Sequence, residues 1–246
     1  MIRSILLPVL AATAFVLSAC SPAVTAEETT PQPAETTTPQ EEIEIVESPI
    51  AENTYTSIDG KREIDTVVVH YASAINWFDP SFQEIVGEES REYAESIGLT
   101  PDNIDEHKYD WRLVKAIFEA YNVSAHYAIA RDGTIVRFVE DNDRAWHAGR
   151  SEMPTDGRTA VNDFSIGIEL MSSHPDRDPT VVTPEDAYTE EQYESLNKII
   201  AKICESYAIT AVVGHDEIAP DRKTDPGPLF QWERVRNEDY TPTACE

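Results

Sequence analysis

Three side chains that could bind a metal or transfer a proton stand at the ends of short, apolar, β-branched runs. His70 closes the first run, Glu169 lies near the end of the second, and His215 follows the third. The runs themselves are 64–69, 165–170 and 211–213. In open α/β sheets, ligands bind at the carboxyl ends of the strands. The sequence therefore predicts that these three side chains share one site.

A loop rich in charge and proline follows His215 and contains Asp225. Two imidazoles and a carboxylate are ligands of the kind that catalytic zinc uses, with a fourth position left for water. Two plainer interpretations stay open from the spacing alone. A histidine at a strand end can be a hydrogen-bonded structural residue, and an aspartate followed by proline can simply start a turn.

The segments that must position these side chains alternate between strand and helix patterns. One helix is predicted after Asp110 and another after the capping box Thr189–Gln192, because apolar residues then recur every three or four positions. A hairpin is predicted about Asp132-Gly133, between two apolar runs. Strands interleaved with helices indicate an α/β fold, and the hairpin makes the sheet mixed. We therefore expect a mixed β-sheet flanked by helices.

The charge balance narrows the classes of partner. Among 246 residues, 19 are Lys or Arg and 46 are Asp or Glu, which gives a net charge of −27. A negative field of this size repels phosphate backbones and argues against nucleic-acid binding. The hydrophobic share of 41% is enough for one core, and three cysteines are too few for a disulfide scaffold. We expect one acidic, soluble domain that acts as a monomer.

The first 19 residues have the layout of a secretory signal peptide, with one early charge followed by an apolar stretch. The uncharged span Ser4–Ala19 is shorter than the ~20 residues that a membrane-spanning helix needs. The ending Leu17–Cys20 resembles the lipobox of bacterial lipoproteins, which implies cleavage before Cys20 and a lipid on its thiol. Ser21 follows where an aspartate would suggest inner-membrane retention. The resemblance thus favours a cell-envelope protein, in the outer membrane and facing the periplasm if the cell has two membranes. An ordinary signal peptide with an incidental cysteine is the alternative.

Residues 20–56 are predicted to be a disordered acidic tether rich in Pro, Thr and Glu. They carry too few apolar side chains to offset the entropy of ordering, and like charges keep such a segment extended. The short apolar patch 43–46 could pair briefly as a strand, but the composition does not require it. The folded domain is then expected over 57–246.

Two further thiols, Cys204 and Cys245, leave two alternatives open. If the protein is exported, they meet an oxidising compartment and can form a disulfide. Cys204 also follows Ile203 on a predicted helix, so it could instead be a buried apolar thiol.

Six segments of the sequence occur together and in order. They are TVVVHY (66–71), VSAHY (123–127), RDG (131–133), RAWHAG (144–149), NDFSIGIE (162–169), and GH (214–215) with APDRKTDPGPLF (219–230). Together they resemble the zinc-dependent N-acetylmuramoyl-L-alanine amidases, the type 2 amidase family related to peptidoglycan recognition proteins. The resemblance implies a mixed sheet flanked by helices, with zinc in a cleft at its edge. With the lipobox, the chain is similar to the outer-membrane lipoprotein amidases.

The resemblance assigns roles to the residues that match the family's motifs. His70, His215 and Asp225 match the ligands of one Zn²⁺ per chain. Glu169 matches the catalytic acid/base and Lys223 the residue that stabilises the oxyanion. Taken alone, the two residues would rather be interpreted as a solvent-facing strand end and one more loop charge. The roles imply hydrolysis of the amide bond between N-acetylmuramic acid and L-Ala in peptidoglycan or muropeptides, by water that zinc activates.

Four further residues are predicted to line the substrate cleft. Trp146 and His147 belong to the RAWHAG segment, although Trp146 could equally pack in the core. Arg144 or Arg222 could hold a substrate carboxylate, although pairing with nearby acidic residues fits as well. The segment 72–110 either forms a wall of the cleft or is a surface insertion.

Two functions from different classes follow. The first is a lipid-anchored zinc amidase, and the second is a non-catalytic lipoprotein that binds muropeptides on the same fold. Loss of any one of the five matched residues would favour the second, and all five are present. The residues do not distinguish intact wall from anhydro-muropeptides as the substrate, or recycling from remodelling as the role.

Overall fold

The computed structural model describes residues 43–172 and 187–245. Its strands are β1 (Ile45–Glu47), β2 (Tyr55–Thr56), β3 (Thr66–Ala72), β4 (Tyr127–Ile129), β5 (Ile135–Arg137), β6 (Arg144–Ala145), β7 (Ser165–Met171) and β8 (Ala211–Gly214). Its helices are α1 (Pro80–Ile85), α2 (Glu88–Ser96), α3 (Ile104–His107), α4 (Trp111–Tyr121), α5 (Glu190–Cys204) and α6 (His215–Ile218). Short 3-10 turns lie at Glu52–Thr54, Val161–Asp163, Trp232–Arg234 and Thr243–Cys245. Within these ranges, no helix is both long and apolar enough to cross a membrane.

Six of the strands form one sheet in the order β1-β5-β4-β7-β3-β8. β3 lies between β7 and β8 and is parallel to both, and β4 is parallel to β7. β4 and β5 form the antiparallel hairpin predicted about Asp132-Gly133, where Gly133 adopts a φ of 84° that favours glycine. The predicted mixed sheet flanked by helices is confirmed.

The strand β1 corrects the predicted tether. Ile45 pairs with Ile135 and Glu47 with Arg137 in a parallel ladder, and Arg137 Nη2 lies 2.9 Å from Glu47 Oε1. Further along, β2 pairs with β6. The prediction of a disordered tether is therefore wrong for residues 43–56. The prediction rested on the average composition of the segment, whereas two alternating isoleucines, at 43 and 45, pack against the main core. Residues 20–42, the signal peptide and Cys20 lie outside the described residues.

Helix α5 covers one face of the sheet. Its N-terminus is the predicted capping box, because Thr189 Oγ1 accepts from the Gln192 N–H at 3.1 Å and Gln192 Oε1 accepts from the Thr189 N–H at 3.2 Å. The Gln192 amide also donates to the carbonyls of Ile129 and Met171, which ties the start of α5 to the carboxyl ends of β4 and β7. The helix buries Tyr193, Leu196, Ile199, Ile200 and Ile203.

Helix α4 and the segment 72–110 pack together beside the other face of the sheet. Asp110 caps α4 as predicted, with its carboxylate accepting from the Arg112 N–H at 2.9 Å. Trp77 and Phe82 from the segment are almost fully buried in the same apolar cluster as Leu113 of α4. The segment thus forms a small helical layer whose apolar side chains are part of the hydrophobic core.

Cys204 and Cys245 form a disulfide, with their Cα atoms 5.7 Å apart, which resolves the open alternative. The bond joins the end of α5 to the last 3-10 turn and closes a loop with a sequence separation of 41.

Replacing both cysteines by serine is expected to lower the free energy of unfolding by about 3–4 kcal/mol, because the unfolded chain regains the entropy of an open loop. Urea denaturation of the variant and of the wild type measures the difference. Wild-type protein reduced before denaturation is the control and should match the variant. Equal midpoints for oxidised wild type and variant would contradict the prediction.

Candidate metal centre

Three donor atoms converge at the carboxyl ends of β3 and β8. His70 lies near the end of β3, His215 begins α6 directly after β8, and Asp225 lies in the loop that follows α6. His70 Nδ1 lies 2.9 Å from both His215 Nδ1 and Asp225 Oδ2, and His215 Nδ1 lies 3.0 Å from Asp225 Oδ2. All three residues are buried. The structure therefore brings together the three predicted ligands.

The Nε2 atoms of His70 and His215, which face away from the triad, each contact another group. His215 Nε2 lies 3.1 Å from the carbonyl of Ala148 and donates to it, which leaves the lone pair of Nδ1 facing the other two ligands. His70 Nε2 lies 3.0 Å from His147 Nδ1. Ring nitrogens held in this way by a second group are typical of metal-binding histidines.

The protonation of these groups suits a cation. Burial, with the nearby His215, lowers the pKa of His70 to about 4, so its imidazole is neutral at pH 7. Burial acts to raise the pKa of Asp225, but the close contacts with His215 and His70 outweigh it and hold that pKa well below its usual range. A neutral His70 imidazole and an ionised Asp225 carboxylate therefore face each other.

Zinc fits this donor set. Facing lone pairs at these separations repel unless a proton or a cation lies between them, and one cation satisfies all three. Tetrahedral zinc with bonds of ~2.0–2.2 Å holds its ligand atoms about 3.3 Å apart, close to the separations present here. The site can therefore hold a divalent metal with little rearrangement.

Glu169 stands directly beside this triad. It lies on β7 opposite His70 of β3 in the strand register, so both side chains project from the same face of the sheet. Burial, and then the charge of Asp225, raise the pKa of Glu169 to about 8, while Lys223 acts to lower it. Among the described residues, the Glu169 carboxylate has no hydrogen-bond partner. It is thus a buried carboxyl group that can gain or lose a proton near neutral pH.

Lys223 lies in the loop between α6 and Asp225. Its backbone N–H donates to the Ala219 carbonyl at 3.0 Å, and its side chain is half-buried. Its charge acts on both His70 and Glu169. The predicted cation therefore lies within electrostatic range of His70 and Glu169.

Each of the four residues predicted to line the cleft has a contact within the protein itself. Trp146 Nε1 donates to Thr56 Oγ1 at 3.0 Å, and His147 lies behind His70. Arg144 pairs with Asp163, which agrees with the alternative of pairing with a nearby acidic residue. Arg222 donates to the carbonyls of Ala148 and Arg150. Contact of these four residues with a substrate stays a prediction.

Sequence reasoning missed three residues that support the centre: Asn162, Ser165 and Gly167. Asn162 accepts from the backbone N–H groups of His147 and Ala148, and Ser165 contacts the ring of His147. A Cβ on Gly167 would lie 2.5 Å from that ring. All three belong to the NDFSIGIE segment, which was the available signal, but no spacing rule gives them a role.

Comparison with known proteins agrees with this geometry. Residues 60–228 match the family described as N-acetylmuramoyl-L-alanine amidase. The 1,6-anhydro-N-acetylmuramyl-L-alanine amidase AmpD of Escherichia coli (strain K12) is 47% identical over 116 residues, which are 46% of this chain and 57% of that protein. The N-acetylmuramoyl-L-alanine amidase AmiD of the same strain is 35% identical over 127 residues, 47% of this chain and 44% of that protein. The chain thus spans about half the length of these curated relatives.

A crystal structure of a selenomethionine AmpD derivative is also similar. It has 33% sequence identity and a TM-score of 0.50, over 79% of this chain and 93% of the other.

Proposed function

The chain belongs to the N-acetylmuramoyl-L-alanine amidase family, and we propose that it is a zinc-dependent enzyme that hydrolyses the amide bond between N-acetylmuramic acid and L-Ala. The main support for this proposal is the arrangement of four side chains. His70, His215 and Asp225 converge within 3.0 Å of one another, with Glu169 on the neighbouring strand. A non-catalytic binding protein requires a groove for its ligand, but it does not require an acid/base residue beside three metal ligands. All of these groups come from one chain, which supports a monomeric enzyme.

Zinc, when bound, would supply the Lewis acidity that activates water and polarises the substrate carbonyl. The protein's own groups would do the rest. Glu169 takes a proton from the attacking water and returns it to the leaving amine of L-Ala, which its raised pKa favours. The Lys223 ammonium offsets the negative charge that develops on the carbonyl oxygen in the tetrahedral intermediate.

Replacing Lys223 by alanine is expected to lower turnover by about 10²–10³-fold, as loss of an oxyanion donor does. Zinc content should stay at the wild-type level, because Lys223 is not one of the three ligands. Turnover from saturation kinetics and metal content from mass spectrometry test both statements. Lys198→Ala is the matched control, since Lys198 lies on α5 and outside the centre. Wild-type turnover in the Lys223→Ala variant would contradict the proposed role of Lys223 in stabilising the oxyanion.

The substrate is proposed to be a muropeptide that carries an N-acetylmuramic acid or its anhydro form. The name of the E. coli relative AmpD, which specifies the 1,6-anhydro sugar, supports the anhydro form. The name of AmiD carries no such restriction. Both names support cleavage at the same amide bond.

Parallel digestion of purified sacculi and of anhydro-muropeptides tests this function, with the products read by mass spectrometry. The proposal expects free peptides that begin with L-Ala, together with the intact amino sugar. Removal of zinc by a chelator should stop the reaction, and added zinc should restore it. Zinc-loaded protein that binds muropeptides without cleaving either substrate would instead support the non-catalytic alternative.

The protein is further proposed to be lipid-anchored in the bacterial cell envelope through Cys20. The lipobox-like ending Leu17–Cys20 supports this location, and so does the Cys204–Cys245 disulfide, because such bonds persist in oxidising compartments. In a cell with two membranes, the absence of aspartate after Cys20 favours the outer membrane.

Cys20→Ser is expected to abolish lipidation and cleavage, so that the protein accumulates as precursor or is released from membranes. Membrane fractionation and mass analysis of the N-terminus measure both outcomes. Cys245→Ser, which leaves the lipobox intact, is the control and should still be lipidated. Wild-type protein that is soluble and begins at a residue other than Cys20 would contradict the anchor.

A further inference from the structure

The two histidine ligands share one support, the adjacent residues His147 and Ala148. His70 Nε2 lies 3.0 Å from His147 Nδ1, and His215 Nε2 lies 3.1 Å from the carbonyl oxygen of Ala148. A shift of this dipeptide would therefore turn both ligand rings at once.

One buried side chain fixes this dipeptide. Asn162 Oδ1 accepts from the backbone N–H of His147 at 3.2 Å and from that of Ala148 at 2.7 Å. Its own backbone is held in turn, since the Arg62 guanidinium donates to the Asn162 carbonyl at 2.9 Å. Asn162 is only 7% exposed, so water does not compete for these bonds.

A chain of hydrogen bonds also sets the proton order of the His70 ring. Ser165 Oγ donates to the Val161 carbonyl at 2.6 Å, so at 3.2 Å from His147 Nε2 it can only accept. A proton on His147 Nε2 leaves Nδ1 of that neutral ring as an acceptor. His70 must then donate from Nε2, and its Nδ1 carries the lone pair that a metal needs.

Gly167 provides the space for this arrangement. A Cβ at that position would lie 2.5 Å from the His147 ring, closer than any side chain permits. The ring therefore packs directly on the backbone of β7, between Ser165 and the His70 ring.

We propose that Asn162 and Ser165 are positioning residues for the metal centre: Asn162 orients both histidine ligands through His147 and Ala148, and Ser165 fixes the tautomer of His70 through His147. This inference rests on the metal site of the proposed function. It assigns His147 to the support of a ligand, where the sequence placed it in the substrate cleft.

The test compares zinc affinity, measured by competition with a chelator, for the wild type and three variants. Asn162→Leu, which has similar volume but no acceptor, should bind zinc about 10–100-fold more weakly. Asn162→Asp keeps an acceptor for both N–H groups and should bind zinc with an affinity close to that of the wild type. Ser165→Ala should weaken binding about 10-fold.

Ser195→Ala is the matched control, because Ser195 Oγ also donates to a backbone carbonyl at 2.6 Å, that of Gly133, outside the centre. It should bind zinc as the wild type does. Imidazole ¹⁵N NMR of the zinc-loaded protein gives a second measurement. It should show a proton on Nε2 of both His70 and His147 in the wild type, and a changed His147 tautomer in Ser165→Ala.

Each outcome decides between the alternatives. Wild-type affinity in both Asn162→Leu and Ser165→Ala would overturn the proposal, and so would equal losses in Asn162→Leu and Asn162→Asp. If Asn162→Leu does not fold, Ser165→Ala and the NMR tautomers decide alone. Failure of the wild type to bind zinc would instead overturn the proposed metal site, which separates the two failures.

Discussion

Replacing Glu169 by glutamine is expected to lower turnover by about 10²–10⁴-fold while zinc content and muropeptide affinity stay near wild type. Glutamine keeps the shape and hydrogen-bonding reach of the side chain, but it cannot accept a proton from water. The burial of Glu169 and its pKa, raised to about 8, favour proton transfer as its role, because groups that titrate near neutral pH suit general acid–base catalysis.

Three measurements on the same preparation check this expectation: turnover at saturating substrate, metal content, and muropeptide binding by calorimetry. Glu190→Gln is the control, since Glu190 is exposed, pairs with Arg234 and lies outside the centre. It should have wild-type turnover. Hydrolysis at the wild-type rate by Glu169→Gln would remove the acid/base role, and loss of zinc would make Glu169 a ligand.

His215→Ala is expected to abolish stoichiometric zinc and to reduce activity by about 10³-fold or more, because the Lewis acidity of the metal contributes several kcal/mol to the barrier. Only two protein ligands would remain, and two rarely hold the ion against a chelator. Mass spectrometry of metal content after dialysis against a chelator, followed by assay of the same sample, measures both effects.

His107→Ala is the matched control, because His107 ends α3 and lies outside the centre. It should retain one zinc per chain. Full zinc content in His215→Ala would show that the ligand set is wrong, whatever the activity. Loss of activity with zinc retained would assign His215 to the substrate and not to the metal.

The sequence predicted the parts of the centre that depend on strand ends. His70 and Glu169 could be placed together because apolar runs mark their strands, and parallel strands bring their carboxyl ends to one edge. The capping box at Thr189 and the turn at Gly133 were equally readable, since local backbone chemistry decides both. Asp225 was harder, because nothing in the spacing shows that its loop folds back over α6.

Other features depend on contacts that no local pattern contains. The strand at Ile45 is short and surrounded by acidic and prolyl residues, and only its pairing with β5 makes it part of the fold. Arg222 carries the charge that a substrate carboxylate would attract, yet it donates to the carbonyls of Ala148 and Arg150. Asn162 acts through two backbone N–H groups that the fold alone brings to it.

The reversed direction of β1 bears on how this protein can be attached to a surface. Because β1 runs opposite to β7, its first residue, Ile45, aligns with Ile129 and Leu170 at the edge of the sheet where the metal ligands lie. The disulfide is at the opposite end of the sheet, since α5 begins at the carboxyl ends of β4 and β7 and the chain after it reaches the start of β3, where the Thr210 N–H donates to the Asp65 carbonyl. Immobilisation at the start of β1 would therefore turn the edge that carries the metal ligands toward the support and would restrict bulky substrates. Immobilisation at Cys245 would leave that edge facing the bulk solution.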